Sequence, residues 1–469
     1  MNIVDAINDP NLFGRWFKNE DSWSAWLAFL SALFGLPMSE EQTAIFVQCT
    51  GRKLAPVTAY GEATLIIGRR GGKSFVLAVI AVFLACFRSY TQYLGPGERA
   101  TVLVVAADRR QARVIFRYVR GLIAANPMLA KKIERETSES IDLSNSVTIE
   151  VGTASHRSVR GYAVAAALCD ELAFWQTDDA AEPDYAVLDA LRPGMATIPT
   201  AVLLCASSPY AKRGALYDAF KNFFGRDDAP VLVWKAPTRV MNPTVPQSVI
   251  DAAIERDPAS AAAEYGAEFR SDIADFISRD VVMACVETGV RERPPKPGIS
   301  YVAHVDPSGG SVDSMTTAVA HREDDIVVVD ALREIIPPFD PESAVDEFVN
   351  LYRSYGIVRT NGDRYAAAWC SQAFEKRNIE YRHAELPTSA LYLNFLPHLN
   401  SKTVRLLDYP RAINQICALE RRTSRGGRDS VEHPPQGHDD LACSLSGVTY
   451  AAVDRAPRSV AQSGRFSWG

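Results

Sequence analysis

The chain has 469 residues and a formal net charge of −6, from 50 Lys and Arg against 56 Asp and Glu. Such a length is too great for one ordinary core and favours two or three domains. The mild acidity excludes a protein that is basic throughout, so any nucleic-acid contact has to rest on a local surface, for which the excess of Arg over Lys is suited. The eight cysteines stand singly, with no C-x-x-C pair, which argues against a structural zinc site and for buried reduced thiols. The longest apolar run, Phe75 to Phe87, is shorter than the roughly 20 residues that span a bilayer. The opening "MNIVDAINDPNLFGRWF" lacks the features of a signal peptide. A protein of the cytoplasm with no membrane contact is expected.

Apolar and aromatic residues recur at helical spacing in "RWFKNEDSWSAWLAFLSALFG" and "MSEEQTAIFVQCTGR", where Ser39 reads as a helix N-cap. The "WSAWLAFLSALF" stretch reads as core. From Ala63 onward short β-rich runs alternate with helical ones: "TLIIG" and "KSFVLAVIAVFLACF", "TVLVVAA" and "RRQARVIFRYVRGLIAA", then "SVTIEVGT", "AVAAALCDE" and "TAVLLCASS". Strands that are apolar throughout and joined by helices predict a parallel sheet covered on both faces. The proline-rich "RERPPKPGIS" reads as a linker, after which "YVAHVD", "MTTAVAHRE" and "DIVVVDALRE" predict three consecutive strands. The expected organisation is a helical segment over 1–60, an α/β domain over 61–290, a linker over 291–300, a second α/β domain over 301–453 and a flexible tail over 454–469.

In "LIIGRRGGKSFVLAV" a strand leads through Gly68, Arg69, Arg70, Gly71 and Gly72 to Lys73 and Ser74 at the start of a helix. This is the context of a P-loop: backbone N–H groups and the helix N-terminus bind phosphate oxygens, Lys73 reaches the β and γ phosphates of ATP, and the Ser74 hydroxyl holds Mg²⁺. The spacing departs from the usual pattern, with Ile67 where the first glycine is expected and Gly68 one place late. Downstream, Asp170 and Glu171 end an apolar strand, where Asp170 can hold the Mg²⁺ and Glu171 can polarise the attacking water. Ser207 and Ser208, after the next strand, are placed to sense the γ-phosphate. Arg160, before the Asp170 strand, can neutralise transition-state charge in cis or from a neighbouring subunit, and Arg69 and Arg70 invite the same reading.

In the second half, Asp306 ends the first strand, Asp363 follows the strand "GIVRTNG", and Asp439 and Asp440 open a late helix. In a ribonuclease-H-like fold these carboxylates converge, and two Mg²⁺ or Mn²⁺ ions held by them would drive phosphodiester cleavage. Singly each is ordinary, and Asp439 can equally cap the helix. Asp330 reads as a strand-end residue. His433 and His438 lack the cysteine partners that a zinc site would want.

The ordered set "GRRGGKS", "RGY" before "LCDELAFW", "ASSPY", "MNPTV", "AAAEYGAEFRSD", "HVDPSGG", "NGDRYAAAWC", "LLDYPRAINQICALERR" and "GGRDSVEHPPQGHDDLA" resembles the large terminase subunits of tailed bacteriophages. That resemblance implies a P-loop ATPase of ASCE type followed by a ribonuclease-H-like nuclease. Lys73, Ser74, Asp170 and Glu171 would be the ATPase residues, Ser207 and Ser208 the coupling motif, and Arg160 an arginine finger given to the adjacent subunit. Asp306, Asp363 and Asp439 or Asp440 would be the nuclease triad, and Gln42 a candidate adenine contact. The implied partners are double-stranded DNA, a portal protein, a small terminase subunit and further copies in a homo-oligomeric ring on the procapsid, the chain being monomeric in isolation, in the host cell cytoplasm. Two other readings stand beside it: a helicase-like NTPase fused to a nuclease in repair or defence, and a non-catalytic ATP-regulated DNA-binding scaffold.

Overall fold

The computed structural model describes residues 1–154, 161–175, 183–363, 368–423, 429–435 and 437–454. The chain forms two compact units, Met1–Ile273 and Ala274–Gly469.

The first unit is built on eight strands: β1 (Glu62–Ile67), β2 (Ala100–Ala106), β3 (Ile133–Glu136), β4 (Ser140–Leu143), β5 (Val147–Thr153), β6 (Ala163–Asp170), β7 (Val202–Ser207) and β8 (Val231–Ala236). Their order across the sheet is β3-β4-β5-β2-β6-β7-β1-β8. All neighbours pair parallel except at the β3, β4 edge, which is antiparallel. Every residue of β2, β6 and β7 is buried, as expected of strands with helices on both faces. In this topology the C-terminal ends of β1, β6 and β7 lie side by side, with Asp170 level with Ala206 and Ile66 level with Ser207. Residues 1–60 are not a separate body. The helix Glu20–Leu33 sinks Trp26 and Phe29 into this core, and Phe29 packs edge-on against Trp234 of β8 at 5.5 Å.

The short strand β9 (Ile273–Asp275) marks the junction between the units. The second sheet holds β10 (Val286–Glu287), β11 (Val302–Asp306), β12 (Met315–Glu323), β13 (Ile326–Ile335), β14 (Arg359–Gly362), β15 (Glu380–His383) and β16 (Val404–Leu407), in the order β10-β16-β13-β12-β11-β14-β15. A meander of β11, β12 and β13 is extended by β14 and β15, both parallel to β11. This is the ribonuclease-H-like arrangement. The helix Asp440–Asp454 lies across β11 and β12, starting where β11 ends.

The domain boundary corrects the expectation of a linker at 291–300. The division falls at Ile273/Ala274, because β10 pairs with β16, more than a hundred residues later. The proline-rich stretch itself is fastened to the second unit: the Arg293 backbone N–H donates to the Asp330 carbonyl at 2.8 Å and its guanidinium pairs with Glu287 at 2.7 Å. The expected tail beyond Asp454 lies outside the described residues. Among those residues no helix is long and apolar enough to cross a membrane.

His304, on β11, is buried beneath the helix Asp440–Asp454, where Gly447 meets its ring so closely that a Cβ would overlap it. Gly447→Ala therefore adds volume where none is free. The gain in helix propensity of about 1 kcal/mol is outweighed by overpacking of about 1–3 kcal/mol. The expected result is a lower urea midpoint for the second unit; an unchanged or higher one would refute the close approach.

Candidate active sites

The turn after β1 is shaped by segments distant in sequence. The Thr238 hydroxyl donates to the Arg69 carbonyl at 2.7 Å, the Asn242 amide to the Arg70 carbonyl at 2.9 Å, and the Trp26 indole N–H to the Gly71 carbonyl at 2.9 Å. The Arg69 N–H donates to the Glu264 carbonyl. Three successive carbonyls are thus held outward, leaving the following N–H groups and the start of the helix Lys73–Phe87 to form a nest for an anion. Gly68 explains the displaced glycine of the motif, because Thr238 and the Tyr265 carbonyl leave no room for a Cβ there. Gly72 has φ +97°, a conformation that favours glycine. Arg70 takes φ +65°.

Lys73 is buried, and its ammonium donates to the Ile67 carbonyl at 3.0 Å and to Ser208 Oγ at 2.9 Å, with Glu171 Oε1 at 3.4 Å. Ser74 Oγ donates to Asp170 Oδ2 at 3.2 Å. Asp170 is buried and its Oδ1 has no partner among the described residues. Burial, then the charge of Glu171, pushes its carboxyl up to about 7, against the opposing pull of Lys73 and the Ser74 hydroxyl. An orphaned, desolvated carboxylate oxygen beside a serine hydroxyl is a donor set that fits Mg²⁺.

Glu171 sits at φ +53°, a left-handed conformation costing a side-chain-bearing residue roughly 1–2 kcal/mol. Its carboxylate accepts from Ser207 Oγ and from the Ser208 N–H, both at 3.2 Å. Lys73, Ser74, Asp170, Glu171, Ser207 and Ser208 thus form one connected cluster at the C-terminal edge of the sheet. Arg69 does not join it: its guanidinium pairs with Glu264 at 3.0 Å. Gln42 is also occupied elsewhere, completing a capping box with Ser39 at the start of the helix Glu40–Thr50. Arg160 lies outside the described residues.

In the second unit Asp306 ends β11, Asp363 follows β14, and Asp439 and Asp440 stand at the start of the helix Asp440–Asp454. Close packing, then the charges of Asp440, Asp439 and Asp363, raise the Asp306 carboxyl well above the usual carboxylate range. Burial and then the Asp439 charge push Asp440 up to about 7, partly opposed by His438. The helix start is fixed by Gln415, whose Oε1 accepts from the N–H groups of Leu441 at 2.8 Å and Ala442 at 3.3 Å, and by Thr316, whose hydroxyl donates to the Asp440 carbonyl at 2.6 Å. The Asp439 side chain is free of the capping role considered for it and instead accepts from the Tyr392 hydroxyl at 2.7 Å.

Among the described residues no group of three or more His, Cys, Asp and Glu side chains is drawn together as a finished metal cage. What the four carboxylates share is mutual repulsion, which a divalent cation would relieve, and their hard oxygen donors are of the type that suits Mg²⁺ or Mn²⁺. Asp330 is a mid-strand residue bonded to His321 Nδ1 at 2.6 Å. His433 leans on the Pro434 carbonyl at 2.9 Å, and His438 lies 3.9 Å from Asp313.

Residue type alone did not mark Trp26, Thr238, Asn242, Glu264, Gln415 or Tyr392. Asn242 and Glu264 do fall inside "MNPTV" and "AAAEYG", stretches that stood out by order and carried no assigned role.

Residues 19–267 match the family described as "Uncharacterized protein MJ0330, N-terminal P-loop domain". No curated protein matches the chain. Among solved structures the chain is similar to the large terminase of bacteriophage HK97, with 15% identity over 89% of this chain and 96% of that one and a TM-score of 0.38. It is similar to the large terminase of a thermophilic bacteriophage in complex with ATP-γ-S, with 12% identity over 88% of this chain and 98% of that one and a TM-score of 0.36. The large terminase nuclease of the thermophilic phage G20c with bound magnesium matches with 14% identity over 36% of this chain and 94% of that one, at a TM-score of 0.32.

Proposed function

The chain belongs to the family of the MJ0330 N-terminal P-loop domain, and from that premise we propose that it is a viral DNA-packaging motor subunit, a large terminase, that hydrolyses ATP to move double-stranded DNA into a procapsid and cuts concatemeric DNA with a metal-dependent endonuclease. The observation that carries this reading is the coexistence, in one chain, of a single P-loop cluster around Lys73 and a carboxylate cluster around Asp306 on a ribonuclease-H-like sheet.

In the ATPase, the N–H groups of Arg70 and Gly72 and those at the start of the helix Lys73–Phe87 bind phosphate oxygens, and Lys73 neutralises the β and γ phosphates. Ser74 and Asp170 hold Mg²⁺, and Glu171 orients water. Because Ser207 and Ser208 bond to both Lys73 and Glu171, loss of the γ-phosphate is felt at the end of β7. With Arg69 committed to Glu264, Arg70 faces the nucleotide and Arg160 serves the neighbouring subunit of the ring. In the nuclease, Asp306, Asp363, Asp440 and Asp439 hold the metal ions, which would supply Lewis acidity to the attacking water and the leaving oxygen. The portal protein, the small terminase subunit and a homo-oligomeric ring in the infected cell's cytoplasm complete the proposal.

A helicase normally needs two tandem motor folds, and the described residues form one P-loop sheet. With procapsids, linear duplex and ATP, DNA is expected to become resistant to added DNase. ATP-driven unwinding of a forked duplex without such protection would favour the helicase reading, and absence of both hydrolysis and cutting would favour the scaffold.

A further inference from the structure

We propose that the exposed face of the helix Arg109–Ala124 is a grip for the phosphate backbone of double-stranded DNA. The proposal rests on the motor reading above and adds to it the surface through which the ATPase unit holds its track.

The helix carries Arg109, Arg110, Arg113, Arg117 and Arg120 and no acidic residue, in a chain whose acidic residues outnumber its basic ones, 56 to 50. At about 100° per residue the five arginines fall within an arc of roughly 100°, spread over about 16 Å of helix. All five are exposed. The opposite face buries Ala112, Ile115, Phe116, Val119, Leu122 and Ile123.

An ordinary solvated helix face mixes signs, since like charges three or four positions apart each cost a few tenths of a kcal/mol. Here such spacings recur with no relief along the helix, and Arg109 and Arg110 also stand at the N-terminus, where the helix dipole disfavours cations. Only Arg120 has an ion-pair partner, Glu136; Arg109, Arg110, Arg113 and Arg117 have none among the described residues. Planar, forked donors left unpaired in a row are suited to a regular polyanion. Duplex DNA presents its phosphates as a regular array along each groove edge, so a row of about 16 Å is long enough to meet more than one of them.

The helix is also connected to the ATP site. It follows β2, whose last residue, Ala106, is level with Asp170. A change at the Asp170 edge of the sheet is therefore two residues from the Asp108 cap that starts this helix.

The test is binding of the full chain to a fluorescein-labelled duplex of arbitrary sequence, followed by anisotropy across a salt series. Arg113→Ala/Arg117→Ala is expected to weaken binding at least about tenfold at low salt and to reduce the slope of log affinity against log salt by about 2, near 0.9 for each phosphate no longer neutralised. The exposed Arg226→Ala variant should change neither. Alanine keeps the helix, which an unchanged circular dichroism melt verifies, and DNA-free ATP turnover should stay at the wild-type level.

Unchanged affinity and slope would overturn the proposal. So would unchanged DNA binding with loss of self-association, since the face would then meet another copy of the chain. Failure of the motor reading is separately visible: Lys73→Ala bears on hydrolysis and leaves this slope intact.

Discussion

Alanine in place of Lys73 is expected to lower ATP turnover by roughly 10³-fold, the scale on which a single preorganised charge at a phosphoryl-transfer site acts. The ammonium is buried at the bottom of the loop, 3.4 Å from Glu171 and bonded to Ser208. Among the described side chains no other cation pairs with Glu171. Fold should survive: alanine is a good helix former at the first position of Lys73–Phe87. Glu171 also keeps its bonds from Ser207 and the Ser208 N–H. Phosphate release under saturating ATP checks the prediction. Turnover within tenfold of wild type would mean that this loop is not the nucleotide site.

The second large effect concerns DNA cutting. Asp306→Asn should reduce Mn²⁺-dependent cutting of plasmid DNA by about 10³-fold or more, because the substitution removes the charge at the centre of the cluster. Its effect on stability should run the opposite way. Asp306 is crowded by Asp440, Asp439 and Asp363, and repulsion among them opposes folding when no cation is bound. Neutralising Asp306 should therefore raise the urea midpoint of the metal-free chain. Added Mg²⁺ should stabilise the wild type by mass action and the variant much less. ATP turnover should not change. A variant that still cuts, or a wild type indifferent to Mg²⁺, would remove Asp306 from the metal site.

Much of each site was legible because its chemistry is local. "LIIGRRGGKS" announces strand, turn and helix in ten residues, and "ALCDE" places two carboxylates at a strand end. Asp306, Asp363 and Asp440 were legible only once a sheet order was assumed, since their approach depends on β14 pairing beside β11.

What escaped was set by partners distant in sequence. The β3, β4 edge was not assigned from the sequence, since most of β3 faces solvent and carries little apolar pattern. The boundary was displaced because β10, two residues long, is defined by its partner β16 and has too little pattern of its own. Gln42 and Asp439 show the converse, residue types that suit one role and are taken by another: Gln42 caps a helix, and Asp439 holds Tyr392 while Gln415 does the capping.

The fastening of the phosphate loop has a consequence for the order in which the protein is made. Trp26 leaves the ribosome before the loop it holds, but Thr238, Asn242 and Glu264 follow Arg69 and Arg70 by 169, 172 and 195 residues. A nascent chain that has already exposed "GRRGGKS" still lacks the groups that turn the Arg69 and Arg70 carbonyls outward. On the proposed reading, nucleotide capture would wait until nearly the whole first unit has been translated, and a chain ending before Thr238 is expected not to hydrolyse ATP.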